Sequence, residues 1–175
     1  NCGFIGDAKK ESIETILEVS DLKINGNLKK IIVTGCLAQR YAGEILKELP
    51  EVDAVIGTGE IDKIEKVVEE VLADKRVVES TKMDFLADSE TDRVLTTASH
   101  TAYLKIAEGC DRKCTYCIIP QLRGSLRSRT IEDILKEANK LVDSGVRELN
   151  LLAQETTEYG IDLYKEKSLA RLMKE

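Results

Sequence analysis

Apolar positions in the first half of the chain follow two alternating rhythms. Ile13, Ile16 and Leu17 fall at the three-to-four spacing of an amphipathic helix, which predicts a helix over 11–22. The run K-I-I-V-T at 30–34 is β-branched and closed by Gly35, the pattern of a buried strand. A second helix is predicted over 42–49, stopped before Pro50. Residues 53–56 form another short strand ended by Gly57. Ile61, Ile64, Val67, Val68, Val71 and Leu72 then mark a long amphipathic helix. Strands alternating with helices predict a parallel sheet covered by helices.

Residues 80–99 break this rhythm with scattered Thr, Ser and Asp, so a linker is placed there. It separates a first α/β domain at 1–79 from a second domain at 100–175. Residues 102–107 predict a fresh strand. Thr130-Ile-Glu-Asp133 has the form of a capping box with Asp in place of Glu, opening a helix that ends near Ser144 and Gly145. Residues 146–152 predict the next strand, and a helix starts again near Ser168. No internal repeat or low-complexity segment is visible.

Hydrophobic residues make up 42% of the 175 and charged residues 33%, a globular composition. No apolar run approaches the roughly 20 residues of a bilayer span, so no membrane partner is expected. With 26 Lys plus Arg against 32 Asp plus Glu, the net charge is −6. Together with 4% aromatics and no Trp, that is a poor footprint for nucleic acid and suits a basic protein partner better. The first residue is Asn1 and the last stretch is an apolar-periodic segment, so the chain is expected to be an internal fragment, inactive by itself.

The densest chemistry lies in E-G-C-D-R-K-C-T-Y-C, where Cys110, Cys114 and Cys117 stand in a C-x3-C-x2-C run. Thiolates are soft, strongly donating ligands, suited to zinc or to an iron–sulfur cluster. Structural zinc sites draw two ligand pairs from separate segments, and this triplet has no second pair downstream. Three ligands on a four-iron cluster leave one iron open for a substrate or cofactor. The competing reading is a structural zinc knuckle, in a non-enzymatic metal-binding module, completed by His100 or an acid. His100 is the one histidine, and a whole predicted strand at about 3.3 Å per residue separates it from Cys110.

With Tyr116 as the aromatic, C-x3-C-x-aromatic-C resembles the signature of the radical S-adenosylmethionine (SAM) superfamily. Residues 103–129 are similar to its methylthiotransferases, and within them to the RimO type, which modifies an aspartate of the twelfth small-subunit ribosomal protein. The stretches C-G-F-I-G-D-A-K-K-E-S-I at 2–13 and A-Q-E-T-T-E-Y-G-I-D-L-Y at 153–164 carry the same resemblance. It implies the opening β/α units of a partial (β/α)6 barrel after the N-terminal α/β domain. It also implies two 4Fe-4S clusters, SAM and an electron donor protein, while thiols kept available for a cluster point to a reducing compartment and so to the cytoplasm. The activity implied is insertion of a methylthio group at the β-carbon of the aspartate. The alternative within the family is a tRNA adenosine methylthiotransferase of the MiaB type.

The resemblance assigns Cys110, Cys114 and Cys117 to the radical SAM cluster. Cys2 and Cys36 match two ligands of an auxiliary cluster whose third ligand would precede Asn1. Both cysteines stand beside glycine, at what would be the carboxyl edge of a parallel sheet, where α/β folds place ligands. Tyr116 and Gln154 are implied to contact the cofactor. Glu155 replaces the family's usual Asp, and its role stays open between a contact and a polar turn. Arg123, Arg127 and Arg129 could pair with carboxylates or form a solvated basic face. Gly124 is assigned to the turn among them. No catalytic acid or base is evident.

Overall fold

The computed structural model describes residues 2–81, 83–91 and 93–175. It divides into a compact unit ending at Phe85 and another starting at Leu86. That division falls inside the segment expected to link two domains, of which Lys82 and Asp92 lie outside the described residues, as does Asn1.

The first unit is a three-stranded parallel sheet in the order β1–β2–β3, formed by Ile32–Thr34, Ala54–Ile56 and Val77–Glu79. Ile32 pairs with Ala54, and Ala54 with Val77. Strand side chains alternate between faces, and the core divides accordingly. Val33 and Val55 pack with Ile16 of α1 (Gly6–Asn25) and with Leu37, Ala38 and Ile45 of α2 (Cys36–Glu48). Ala54 and Ile56 pack on the other face with Val67 and Val71 of α3 (Ile64–Leu72). All three residues of β2 are fully buried, as a central strand covered on both faces requires.

The sequence expectations shift in places for local reasons. Helix α1 starts at Gly6, five residues earlier than its apolar rhythm, with Asp7 in the first turn where the helix dipole favours an acid. Helix α2 starts at Cys36 rather than Ala42. Gly35, at φ +108°, turns the chain directly from β1 into the helix. A non-helical residue at Tyr41 kinks it, and the predicted helix corresponds to the part beyond the kink. Strand β3 went unpredicted, because R-V-V-E becomes a strand only through pairing with β2.

The second unit pairs β4 (Thr101–Lys105) in parallel with β7 (Glu148–Leu152), joined through α5 (Ile131–Asp143). Its core gathers Ala102, Leu104, Ile106, Ile131, Ile134, Leu141, Val146 and Tyr159. Thr130 caps α5, its hydroxyl accepting from the Asp133 amide at 3.2 Å. The Asp133 carboxylate serves the Arg129 guanidinium and the Ser89 amide instead of closing the box. A short antiparallel pair, β5 (Ala107–Glu108) with β6 (Arg127–Ser128), brackets the cysteine loop and the one-turn helix α4 (Ile119–Arg123). Two further short helices, α6 (Ile161–Tyr164) and α7 (Leu169–Leu172), follow β7. The chain is thus mixed α/β with parallel sheets. No helix among the described residues is long and apolar enough to cross a membrane.

Candidate functional site

The cysteine loop leaves the core at Gly109, whose φ of +78° an L-residue rarely adopts. A Cβ built there would stand 2.1 Å from the Ser125 carbonyl oxygen, so only glycine permits this approach. The Gly109 amide donates to Gln154 Oε1 at 2.8 Å, and the Cys110 amide to the Gly124 carbonyl at 3.1 Å. Cys110 is buried, at 7% exposure, and its sulfur accepts from the Arg112 amide at 3.4 Å. Asp111 Oδ1 accepts from the Leu126 amide at 3.3 Å. The entrance to the loop is therefore pinned from both the strand side and the return side.

Further along, the loop opens to solvent. Cys114 is exposed, Cys117 half-buried and Tyr116 77% exposed. A turn joins the last two cysteines, the Cys117 amide donating to the Cys114 carbonyl at 3.1 Å. Pro120 near the start of α4 and Gly124, at φ +74°, at its end then bring the chain back to β6.

Carboxylates and guanidinium groups frame the loop. Glu108 is buried and accepts from Lys105 at 2.6 Å and Arg123 at 2.9 Å. Burial pushes its carboxyl up, but hydrogen bonds and charge from these two cations more than offset that, leaving it below its usual value. Arg112 Nη2 donates to Glu158 at 2.7 Å, and its Nε lies 3.6 Å from Glu155. Lys167 adds a second cation to Glu158 at 3.0 Å. The Thr157 hydroxyl and amide donate to Glu155 and hold its carboxyl below the usual value. Cys110, Asp111, Arg112, Leu126, Glu155 and Glu158 line a pocket of about 110 Å³.

The three arginines differ in their surroundings. Arg129, 4% exposed, pairs with Asp133 at 2.6 Å and Glu137 at 2.5 Å and donates to the Lys105 carbonyl. Arg127 donates to the carbonyls of Arg123 and Ser125 and so stiffens the return from α4. None of the three stands as a bare solvated face. Arg112, Glu108 and Glu158 were missed by sequence reasoning, since nothing local marks their long-range pairing.

In the first unit, Gly3 brings the backbones beside Cys2 and Cys36 together. A Cβ on Gly3 would lie 2.5 Å from the Cys36 carbonyl oxygen, and the Gly3 carbonyl accepts from Arg40 at 2.8 Å. Cys2 and Cys36 are both half-buried. Cys36 begins α2 directly after β1, at the carboxyl edge of the sheet. Amide hydrogen bonds from Phe4 and then Ile5 hold the Cys2 thiol below its usual value.

Among the described residues no three His, Cys, Asp or Glu side chains are gathered closely enough to hold a metal ion. The donor set nevertheless fits an iron–sulfur group chemically: three soft thiols on one short loop, all free, with the first already fixed.

Residues 104–174 match the radical SAM superfamily, and residues 1–57 match the uncharacterized protein family UPF0004. The chain is similar along nearly its whole length to radical SAM methylthiotransferases. It is 52% identical over 174 residues to the ribosomal protein uS12 methylthiotransferase RimO of Clostridioides difficile, covering 99% of this chain and 39% of that protein. The RimO of Thermoanaerobacter sp. is 56% identical over 174 residues, with 99% and 40% covered. That of Lachnoclostridium phytofermentans is 53% identical over 173 residues, with 99% and 39% covered. The chain spans about two fifths of the length of these relatives.

Proposed function

We propose that the chain is part of an enzyme that inserts a methylthio group at the β-carbon of an aspartate in ribosomal protein uS12. The observation that carries this reading is the fixed cysteine loop within a sequence about half identical, along nearly its whole length, to proteins of that name. Cys110, Cys114 and Cys117 would hold one 4Fe-4S cluster. Cys2 and Cys36 would supply two ligands of a second. When bound, the first cluster and SAM supply the one-electron chemistry that removes a hydrogen atom from the substrate carbon, and the second cluster carries the sulfur to be transferred.

The chain's own residues have definable tasks in this reading. Cys110 offers a ligand whose position is fixed before loading, while Cys114 and Cys117 lie on the open part of the loop. Arg112 and Lys167 offset the charge of Glu155 and Glu158 beside the pocket. Leu126 and Ile161 give that pocket an apolar wall that limits water. Tyr116, exposed at the tip, and Gln154, just beyond the end of β7, are the residues assigned to the cofactor. The net charge of −6 favours encounter with a basic ribosomal protein over a polyanion. Free thiols, an external electron donor and a cytoplasmic setting go together with this chemistry.

The test uses the full-length protein, reconstituted without oxygen and supplied with both substrate pools. Mass spectrometry is expected to find the methylthio group on the uS12 aspartate. Its appearance on tRNA adenosine, with the aspartate unmodified, would reassign the substrate to the MiaB type. Replacing Cys110, Cys114 or Cys117 with Ala should remove about 4 iron atoms per chain, and replacing Cys2 or Cys36 the other cluster. Stoichiometric zinc in place of iron would overturn the radical reading.

A further inference from the structure

Main-chain pairing is interrupted for one residue at the mouth of the cysteine loop, and a side chain takes over there. The β4–β7 ladder ends at Lys105 opposite Leu152, followed by one more bond from the Ile106 amide to the Leu152 carbonyl at 2.9 Å. The β5–β6 pair ends at Glu108 opposite Arg127. The next amide, that of Gly109, belongs to neither ladder. Its hydrogen bond goes to Gln154 Oε1 at 2.8 Å, from just beyond the end of β7. An amide donor must meet the oxygen of the Gln side chain rather than its nitrogen, so this contact also fixes which way the Gln154 amide is turned.

This bond bears directly on Cys110. Gly109 is the only residue between Glu108, locked by Lys105 and Arg123, and Cys110, whose amide is bound to Gly124. The chain turns there through a φ of +78°. Loss of the Gln154 contact would leave the Gly109 amide without this acceptor at the residue whose left-handed φ directs the chain into Cys110. We propose that Gln154 is a positioning residue for the loop. Its carbonyl oxygen, through Gly109, sets the place of Cys110 before any metal arrives. This rests on the reading of Cys110 as a metal ligand, and gives Gln154 a task beyond its assigned contact with the cofactor.

The experiment compares Gln154→Leu, which keeps the size and removes the acceptor, with Gln154→Glu, which keeps an acceptor oxygen. In the metal-free full-length protein, hydrogen exchange is followed in a peptide covering 106–113, with the β4 segment 101–105 as an internal control. Leu should accelerate exchange of the Gly109 amide by on the order of two- to tenfold, the worth of one hydrogen bond. Glu should leave it near the wild-type rate, and β4 should be unchanged in both. After loading, the Leu variant should give a broader, more heterogeneous cluster spectrum by electron paramagnetic resonance, and Glu a spectrum like the wild type.

Unchanged Gly109 exchange in the Leu variant overturns the proposal. So does acceleration spread equally over β4, which would mean general loosening. A Glu variant that binds SAM more tightly, with exchange unaltered in both variants, would show that Gln154 serves only the ligand's ammonium group. Failure of the wild type to take up iron overturns the metal reading instead. That outcome is distinguishable, because Gly109 exchange would still follow the acceptor at position 154.

Discussion

Arg123 Nη1 donates to Glu108 Oε1 across 2.9 Å and thereby ties the two ends of the cysteine loop together. Lys105 completes the arrangement at 2.6 Å from the other carboxylate oxygen. Glu108 is buried, so loss of a cation would leave its charge poorly compensated. Truncating one partner of a fully buried pair costs about 3–5 kcal/mol. Arg123 and Lys105 are themselves 26% and 41% exposed, which scales the effect to roughly 1–2 kcal/mol.

Arg123→Met is therefore expected to destabilise the second unit by about that amount at neutral pH. The folded carboxyl is held below its usual value, so the stabilisation is present above about pH 4.3 and is lost as pH falls through the folded value. Denaturant titrations of wild type and variant at pH 7 and pH 3 check this. A gap that does not narrow in acid would remove Glu108 as its cause.

Gly109 and Gly43 should respond in opposite directions to alanine. At Gly109 the backbone is left-handed and the new Cβ would meet a main-chain oxygen at 2.1 Å, so Gly109→Ala should cost at least about 2 kcal/mol and displace the loop. Gly43 lies inside α2 with nothing within 4 Å of its Cβ position, so Gly43→Ala should stabilise by about 0.5–1 kcal/mol. Melting temperatures of the two variants decide the matter, and a fall in both would contradict the second half.

Local signals made part of this architecture legible. β2 is three consecutive apolar residues before a glycine, and α5 carries both its apolar rhythm and its Thr130 cap. The cysteine spacing is likewise visible without any structure. What stayed hidden depends on distant partners. The first half of α2 was masked by the kink at Tyr41, and β3 exists through its pairing with β2. Arg129 stands in a basic run that reads equally well as a surface, yet Glu137, eight residues further on, helps to bury it. Gln154 looks like a strand-end polar residue, and no sequence rule connects its oxygen to the amide of Gly109.

Acid sensitivity of the first unit should centre on Asp53. Burial raises its carboxyl, but hydrogen bonds from Lys23 at 2.6 Å and the Ile31 amide at 2.8 Å, with Lys30 nearby, bring it below the usual value. A depressed folded value means stability present above about pH 3.9 and lost as pH falls through the folded value. Asp53→Asn should cost about 1–2 kcal/mol at pH 7 and progressively less in acid. Exchange protection of β1 and β2 amides against pH, in wild type and variant, measures it. Equal protection at pH 7 would show that the Lys23 and Ile31 contacts contribute nothing net.

Tyr159 should give the second unit an alkaline limit. Its ring is fully buried, and its hydroxyl donates to the Arg129 carbonyl at 2.8 Å, joining the segment after β7 to the start of α5. The neighbouring Gly160 amide donates to Ser128 Oγ, so the tether is double. Burial is the main influence raising the phenol above its usual value. For a group raised in the fold, stability is fully present below the unfolded value, about pH 10, and is lost as pH rises beyond it. Tyr159→Phe removes one hydrogen bond at an otherwise preserved packing site and should cost about 1–2 kcal/mol at pH 7. The variant has no proton there to lose, so its stability should fall less steeply than the wild type between pH 9 and pH 11. Guanidinium unfolding midpoints across that range provide the measurement. Parallel pH curves would mean that another group sets the alkaline limit, and an unchanged midpoint at pH 7 would mean that the hydroxyl is not needed to hold the two segments together.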